Sequence, residues 1–175
     1  MATAEHSTPA SDSDSEGTTT TTRAITVNRP LEELYAFWRD VGNLPKFMEN
    51  IQSIEVLDER RSRWTVAAPG GTEVTWTSVI VEDEPDRLIA WRSEEGADID
   101  NAGRIEFLAA PGGRGTQIRA EISYDPPSGA IGKLVAKLFQ REPAIQTRRE
   151  LRRFKQLMET GEISTAEPPD AAPRD

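Results

Sequence analysis

SGAIGKLVAKLFQREPAIQTRRELRRFKQLMETG, residues 128–161, is the stretch whose reading decides the fold. Ile131, Leu134, Val135, Leu138 and Phe139 recur at the i, i+3, i+4, i+7 and i+8 spacing of an amphipathic helix. After a break at Pro143 the pattern resumes with Leu151, Phe154, Leu157 and Met158, and Gly161 stands where a C-cap glycine would end it. At about 1.5 Å per residue such a stretch reaches on the order of 45 Å, enough to cross a small sheet. Almost everything before it reads as short strands. The architecture to test is therefore one long helix laid along one curved sheet, with a cavity between them as the functional part.

Length and composition set the bounds. A chain of 175 residues with 36% hydrophobic and 29% charged residues is sized for one globular domain with polar appendages. No apolar run approaches the roughly 20 residues a membrane-spanning helix needs. The first residues, MATAEHSTPASDSDSEG, have neither a basic start nor an apolar segment, so no signal peptide is expected and a cytoplasmic location is. Without cysteine there is no disulfide framework, thiol nucleophile or thiolate metal site.

The net charge of -9 is unevenly distributed. Residues 1–22 and 162–175 are acidic, low in apolar side chains, and expected to be a disordered arm and tail around an ordered domain over 23–161. Within 128–161 the sign reverses, with Lys133, Lys137, Arg141, Arg148, Arg149, Arg152, Arg153 and Lys155 outnumbering three glutamates. A basic helix over an acidic sheet is either a solvated outer face or a surface for an anionic partner. The acidic balance and the lack of an aromatic-plus-basic motif argue against nucleic acid. The paucity of lysine beside the acidic tails hints at adaptation to high salt.

From the N-terminus, RAITVN (23–28) reads as a short strand. Residues 30–41 follow as an amphipathic helix carrying Leu34, Phe37, Trp38 and Val41, with Pro30 at its first position, Asn28 as its cap and Gly42-Asn43 as its stop. The punctuation then becomes that of antiparallel sheet: strands at 51–58, 63–68, 72–84, 87–95, 103–109 and 116–124, separated by Gly- and Pro-containing turns. The last of these alternates most cleanly, with Ile118, Ala120, Ile122 and Tyr124 on one face. Asp125-Pro126-Pro127 ends the sheet.

Pro30, Phe37-Trp38, Asp40, Asn43, Pro45 and Phe47, then IVEDEPDRLIAWRS (80–93) with Ala102-Gly103 and Gly115-Thr116, then YDPPSGAIGKLVAKLF and LRRFKQLMETGE, resemble in order the phrases of SRPBCC (START-like, polyketide cyclase/dehydrase-type) domains. The closing phrase is similar to a coenzyme-Q-binding-like bacterial subgroup. The resemblance covers about 23–161 and implies an α+β helix-grip fold, a curved antiparallel sheet wrapped around a long C-terminal helix with an apolar cavity. The superfamily includes lipid carriers, quinone-binding proteins and polyketide aromatases, so the fold leaves the activity open.

Catalytic chemistry finds little purchase in the residues. The single histidine, His6, lies in the acidic arm, which removes the commonest general base. Arg92, Tyr35 and Tyr124 remain as acid–base candidates, none in a recognisable motif, and strand parity turns Glu73 outward if Trp76 faces in. Residues 98–103 lack the alternating acids of a calcium loop, and no GK[ST] follows the 112–115 glycines. No catalytic residue, cofactor or metal is assigned. The expected ligand-binding set is Trp38, Phe47, Trp64, Trp76, Trp91, Phe107, Ile118, Ile122, Leu134 and Leu138, lining a flat-walled apolar pocket or filling a core. The partner it suits is a small hydrophobic ligand: a lipid, isoprenoid quinone or polyketide-like molecule, carried rather than converted. A cyclase/dehydratase-type enzyme is the alternative, and an interaction module at an anionic membrane or protein surface the second.

Overall fold

The computed structural model describes residues 19–67, 70–125 and 143–163. Seven strands form one antiparallel sheet: β1 (Thr19–Val27), β2 (Ile51–Val56), β3 (Arg61–Ala67), β4 (Glu73–Glu84), β5 (Leu88–Ser93), β6 (Asp100–Ala109) and β7 (Thr116–Asp125). Their order across the sheet is β1-β7-β6-β5-β4-β3-β2. From β2 to β7 each strand pairs with the next, and β1 extends the sheet by pairing along β7 from Thr19↔Tyr124 to Val27↔Thr116.

That first strand begins at Thr19, inside the stretch expected to be a disordered arm. Threonine is poor in apolar surface but β-branched, which suits an edge strand with one face in solvent. Thr21 is buried, while Thr20 shares a hydrogen bond with Ser123 across the strand pair (2.9 Å). The other boundaries also move. β3 starts at Arg61, because Asp58 Oδ1 accepts from the backbone N–H groups of Arg60 and Arg61 and tightens the turn before it. β6 starts at Asp100, within the expected loop.

Alternation is cleanest in β3 and β4, where Ser62, Trp64 and Val66 and then Val74, Trp76, Ser78 and Ile80 are buried. Register shifts between Ile51 and Ser53 in β2 and between Ile80 and Glu82 in β4 act as bulges that bend the sheet.

Between β1 and β2 lie helix α1 (Leu31–Arg39) and a 3-10 turn (Val41–Lys46). Pro30 is the cap position rather than the first helical residue, and no side chain caps the helix. Asn28 does not cap it; its backbone N–H donates to Glu159 Oε1 (2.7 Å). Gly42-Asn43 does not stop the chain's winding but tightens it, and Leu44 is buried there.

Helix α2 (Pro143–Thr160) lies against the sheet. The expected continuation of this helix back to residue 128 lies outside the described residues, as do Leu134 and Leu138. Leu151 and Phe154 of α2 are buried, and the Phe154 ring sits 5.1 Å from Phe47 and 5.5 Å from Trp38. Burying an aromatic side chain of this size contributes about 1.5–3 kcal/mol. The far end of α2 is held by Arg29, which donates to the carbonyls of Met158 and Glu159 (both 2.9 Å), and by Lys155, which donates to the Thr26 carbonyl (2.6 Å). The Arg29 charge also sits where the helix dipole favours a cation. Gly161 has φ +78° and donates to the Leu157 carbonyl, closing the helix as its position in the sequence implied.

Candidate functional site

The inner face of the sheet carries a row of small residues. Ser62, Ser78 and Ser93 are neighbours across β3, β4 and β5 and all are buried. Three hydroxymethyl groups in a row leave space that larger inward side chains would occupy. On the next strand, Gly103 lies opposite Trp91, and its missing side chain is what the Trp91 indole covers: a Cβ at 103 would come within 2.1 Å of a ring carbon. Trp64 and Trp76 are also register partners, with stacked rings 5.9 Å apart. Two indole N–H groups are satisfied locally, Trp64 by Ser62 Oγ (2.9 Å) and Trp91 by Asn101 Oδ1 (3.4 Å).

These three tryptophans wall a cavity of about 100 Å³, completed on the apolar side by Met48, Ile51, Val66 and Ile122. Its polar lining comes from two directions. Asn50, Asn101 and Tyr124 come from the sheet side, and Gln146, Thr147 and Glu150 from the first half of α2. Among the described lining residues there is no lysine or arginine. A second hollow of about 20 Å³ lies behind Trp64 and Trp91, which line both spaces; Trp38, Ser62 and Ser78 line it too. Trp38 Nε1 is buried without a hydrogen-bond partner among the described residues.

Glu150 is the group with chemistry in it. Burial pushes its carboxyl up to about 7, a hydrogen bond from Gln146 Nε2 (3.1 Å) works against that rise, nearby Glu49 adds to it, and Arg153 opposes it. Arg153 cannot neutralise it fully, because its guanidinium is engaged by Glu49 (2.7 Å) and by the Phe47 carbonyl (3.0 Å). Tyr124 is raised to about 12 by burial and by Asp125, so its hydroxyl stays protonated at neutral pH.

Of the residues expected to contact ligand, Trp64, Trp76, Trp91 and Ile122 meet in the cavity wall. Trp38 lines only the smaller hollow. Phe47, Phe107 and Ile118 are fully buried in the packed core and line neither space. Among the acid–base candidates, Tyr124 reaches the cavity, while Arg92 and Glu73 are exposed. Tyr35 is turned away to donate to Asp83, which also pairs with Arg39 (2.6 Å). Glu150, Gln146 and Thr147 were not singled out from the sequence. A signal was present: Glu150 lies four residues before Phe154 and seven before Leu157, on the buried stripe rather than the solvated face. Among the described residues no cluster of His, Asp or Glu could hold a metal ion, and no helix is long and apolar enough to cross a membrane.

Known proteins place this geometry in context. The sequence profile described as polyketide cyclase / dehydrase and lipid transport matches residues 27–152. No match is found among curated proteins. A Deinococcus radiodurans protein of known structure is 42% identical, with a TM-score of 0.67 over 82% of this chain and 100% of its own. A Thermus thermophilus protein is 24% identical, with a TM-score of 0.63 over 79% of this chain and 95% of its own. A Streptomyces aromatase/cyclase shares the fold at 17% identity, with a TM-score of 0.62 over 84% of this chain and 99% of its own. The matched profile spans most of the sheet, α1 and the first half of α2, and the chain belongs to the polyketide cyclase / dehydrase and lipid transport family.

Proposed function

We propose that the protein binds a small, largely apolar ligand in the cavity walled by Trp64, Trp76 and Trp91, as a carrier or sensor working in the cytoplasm. The observation that carries this reading is the space itself: three indoles stand around a hollow of about 100 Å³ whose remaining apolar wall is Met48, Ile51, Val66 and Ile122. Aromatic walls with a few convergent polar groups are the usual make-up of a small-molecule site. Size narrows the ligand. At about 100 Å³ the cavity suits a ring-sized group, since an engineered apolar cavity of roughly 150 Å³ holds benzene. An isoprenoid quinone, acyl lipid or polyketide would place only its head or one ring there. Native mass spectrometry of protein taken directly from cells, with extraction of any bound molecule, tests the reading. A stoichiometric apolar ligand supports it. An empty protein whose tryptophan emission is also unmoved by ring-containing ligands refutes it.

A second reading, a cyclase/dehydratase-type enzyme, draws support from Glu150 and the Tyr124 hydroxyl lining one cavity. A carboxyl that titrates near neutrality can give or take a proton at a substrate carbon. It requires turnover of a bound polyketide-like substrate that Glu150→Gln abolishes while the substrate still binds.

A further inference from the structure

We propose that this cavity selects ligands with a protonated nitrogen, an organic amine or ammonium group on an apolar or aromatic body, held against Trp64, Trp76 and Trp91 with its charge facing Glu150. The inference rests on the cavity being a ligand site and names the polar end of what enters it.

Among the described residues, the lining has one sign of charge to offer. Glu150 is its carboxyl, and Gln146 donates to one of the two oxygens, leaving the other without a hydrogen bond among the described residues. Two arginines of the same helix, Arg149 (3.1 Å) and Arg153 (2.7 Å), both pair with Glu49 on the chain leading into β2. From the sheet, Tyr124 faces the cavity as a neutral phenol. A carboxylate or phosphate entering here would lose its hydration with no described cation to receive it, and would face the Glu150 carboxylate once that is ionised. An ammonium group would meet the Glu150 carboxylate and the faces of indoles, the best side chains for cation–π attraction.

Proton linkage gives the inference a signature. Empty, the Glu150 carboxyl holds its proton to about pH 7. An ammonium beside it favours the ionised form, so binding in the neutral range expels one proton from Glu150 to the buffer and tightens as pH rises. Hydrogen-bonded binding of a neutral ligand carries no such requirement.

Three probes share one apolar body and differ in the charge of the end group: 2-phenylethylamine, 2-phenylethanol and phenylacetate. Calorimetry and ligand-observed NMR at pH 6 and pH 8, in buffers of different ionisation enthalpy, compare them on the intact protein. The amine is expected to bind about tenfold more tightly than the alcohol at pH 8, a ratio within the reach of a desolvated ion pair plus cation–π contact. Phenylacetate should bind weakest, the amine's advantage should shrink at pH 6, and its binding enthalpy should depend on the buffer. In Glu150→Gln the amine and the alcohol should bind alike. Should the alcohol match the amine at pH 8 in the wild type, or the preference survive in Glu150→Gln, the inference falls while the ligand cavity stands. If none of the three binds, the cavity reading falls with it.

Discussion

Replacing Glu150 by glutamine should make the ligand-free protein more stable at pH 8 and leave it unchanged at pH 4.5. The amide keeps an oxygen to accept from Gln146 and removes the ionisation. In the folded protein the carboxyl titrates at about 7 against 4.5 for an unperturbed glutamate, chiefly through burial. A folded pKa above the unfolded one means that the contribution of this group is fully present below about pH 4.5 and is lost as pH rises through about 7. At 1.36 kcal/mol per pH unit the difference corresponds to roughly 3 kcal/mol, and the half-buried side chain lowers the expectation to about 2 kcal/mol. Asp58, Asp83 and Glu159, all held below the ordinary carboxylate range, titrate on the acid side of this window and are common to both proteins. Urea unfolding of both proteins at half-unit steps from pH 4.5 to 8 isolates the term as a difference of differences. A gap that opens toward pH 8 by about 2 kcal/mol supports a buried, protonated carboxyl. A gap independent of pH, or a variant less stable than wild type at pH 8, would refute it.

Three further substitutions test the frame around the cavity. Gly103→Ala drives a methyl group to within 2.1 Å of the Trp91 ring and should cost about 1–3 kcal/mol by overpacking, read as a lower melting temperature with a shifted tryptophan emission. Arg29→Met removes the two hydrogen bonds to the Met158 and Glu159 carbonyls and should cost about 1–3 kcal/mol, with amide exchange accelerating first in the last turn of α2. Asp83→Asn weakens the Tyr35–Asp83–Arg39 network. Burial disfavours the Asp83 carboxylate, but the hydrogen bonds from Tyr35 and Arg39 outweigh it and hold its pKa down. The variant should therefore lose about 1–3 kcal/mol near neutral pH. The loss should begin to narrow as pH falls below 3.8, the ordinary aspartate value, and close once pH passes below the depressed value of the folded wild-type carboxylate, in parallel denaturation curves.

Much of the frame was legible in the chain because its physical causes are local. Alternation in 72–84 put Trp76 inward and Glu73 outward, and so they stand. The apolar period through Leu151 and Phe154 marked the buried face of α2. What escaped depends on neighbours distant in sequence. The threonines at 19–22 look like part of a polar arm until β7 supplies the partner that makes them an edge strand. Tryptophans, phenylalanines and isoleucines are alike as apolar residues, and only their places in the fold decide that Trp64, Trp76 and Trp91 border space while Phe47, Phe107 and Ile118 fill it. Glu150 was counted with the charges of a basic helix, although its spacing from Phe154 put it on the inward stripe. Composition counts charges without asking which way they point.

The pairing of β1 with β7 governs the order in which the molecule can assemble. Thr20 meets Ser123 across 103 positions of chain, and Arg29 grips Glu159 across 130. The hairpins from β2 to β7 join neighbours in sequence and can form early, whereas closing loops of this length is entropically costly until the intervening strands are in place. During synthesis β1 emerges first and must wait, unpaired, until residues 116–125 leave the ribosome. The sheet from β2 to β7 can then be complete before β1 and the helix are fastened, and the helix fastens to the end of that late strand, Thr26 to Arg29.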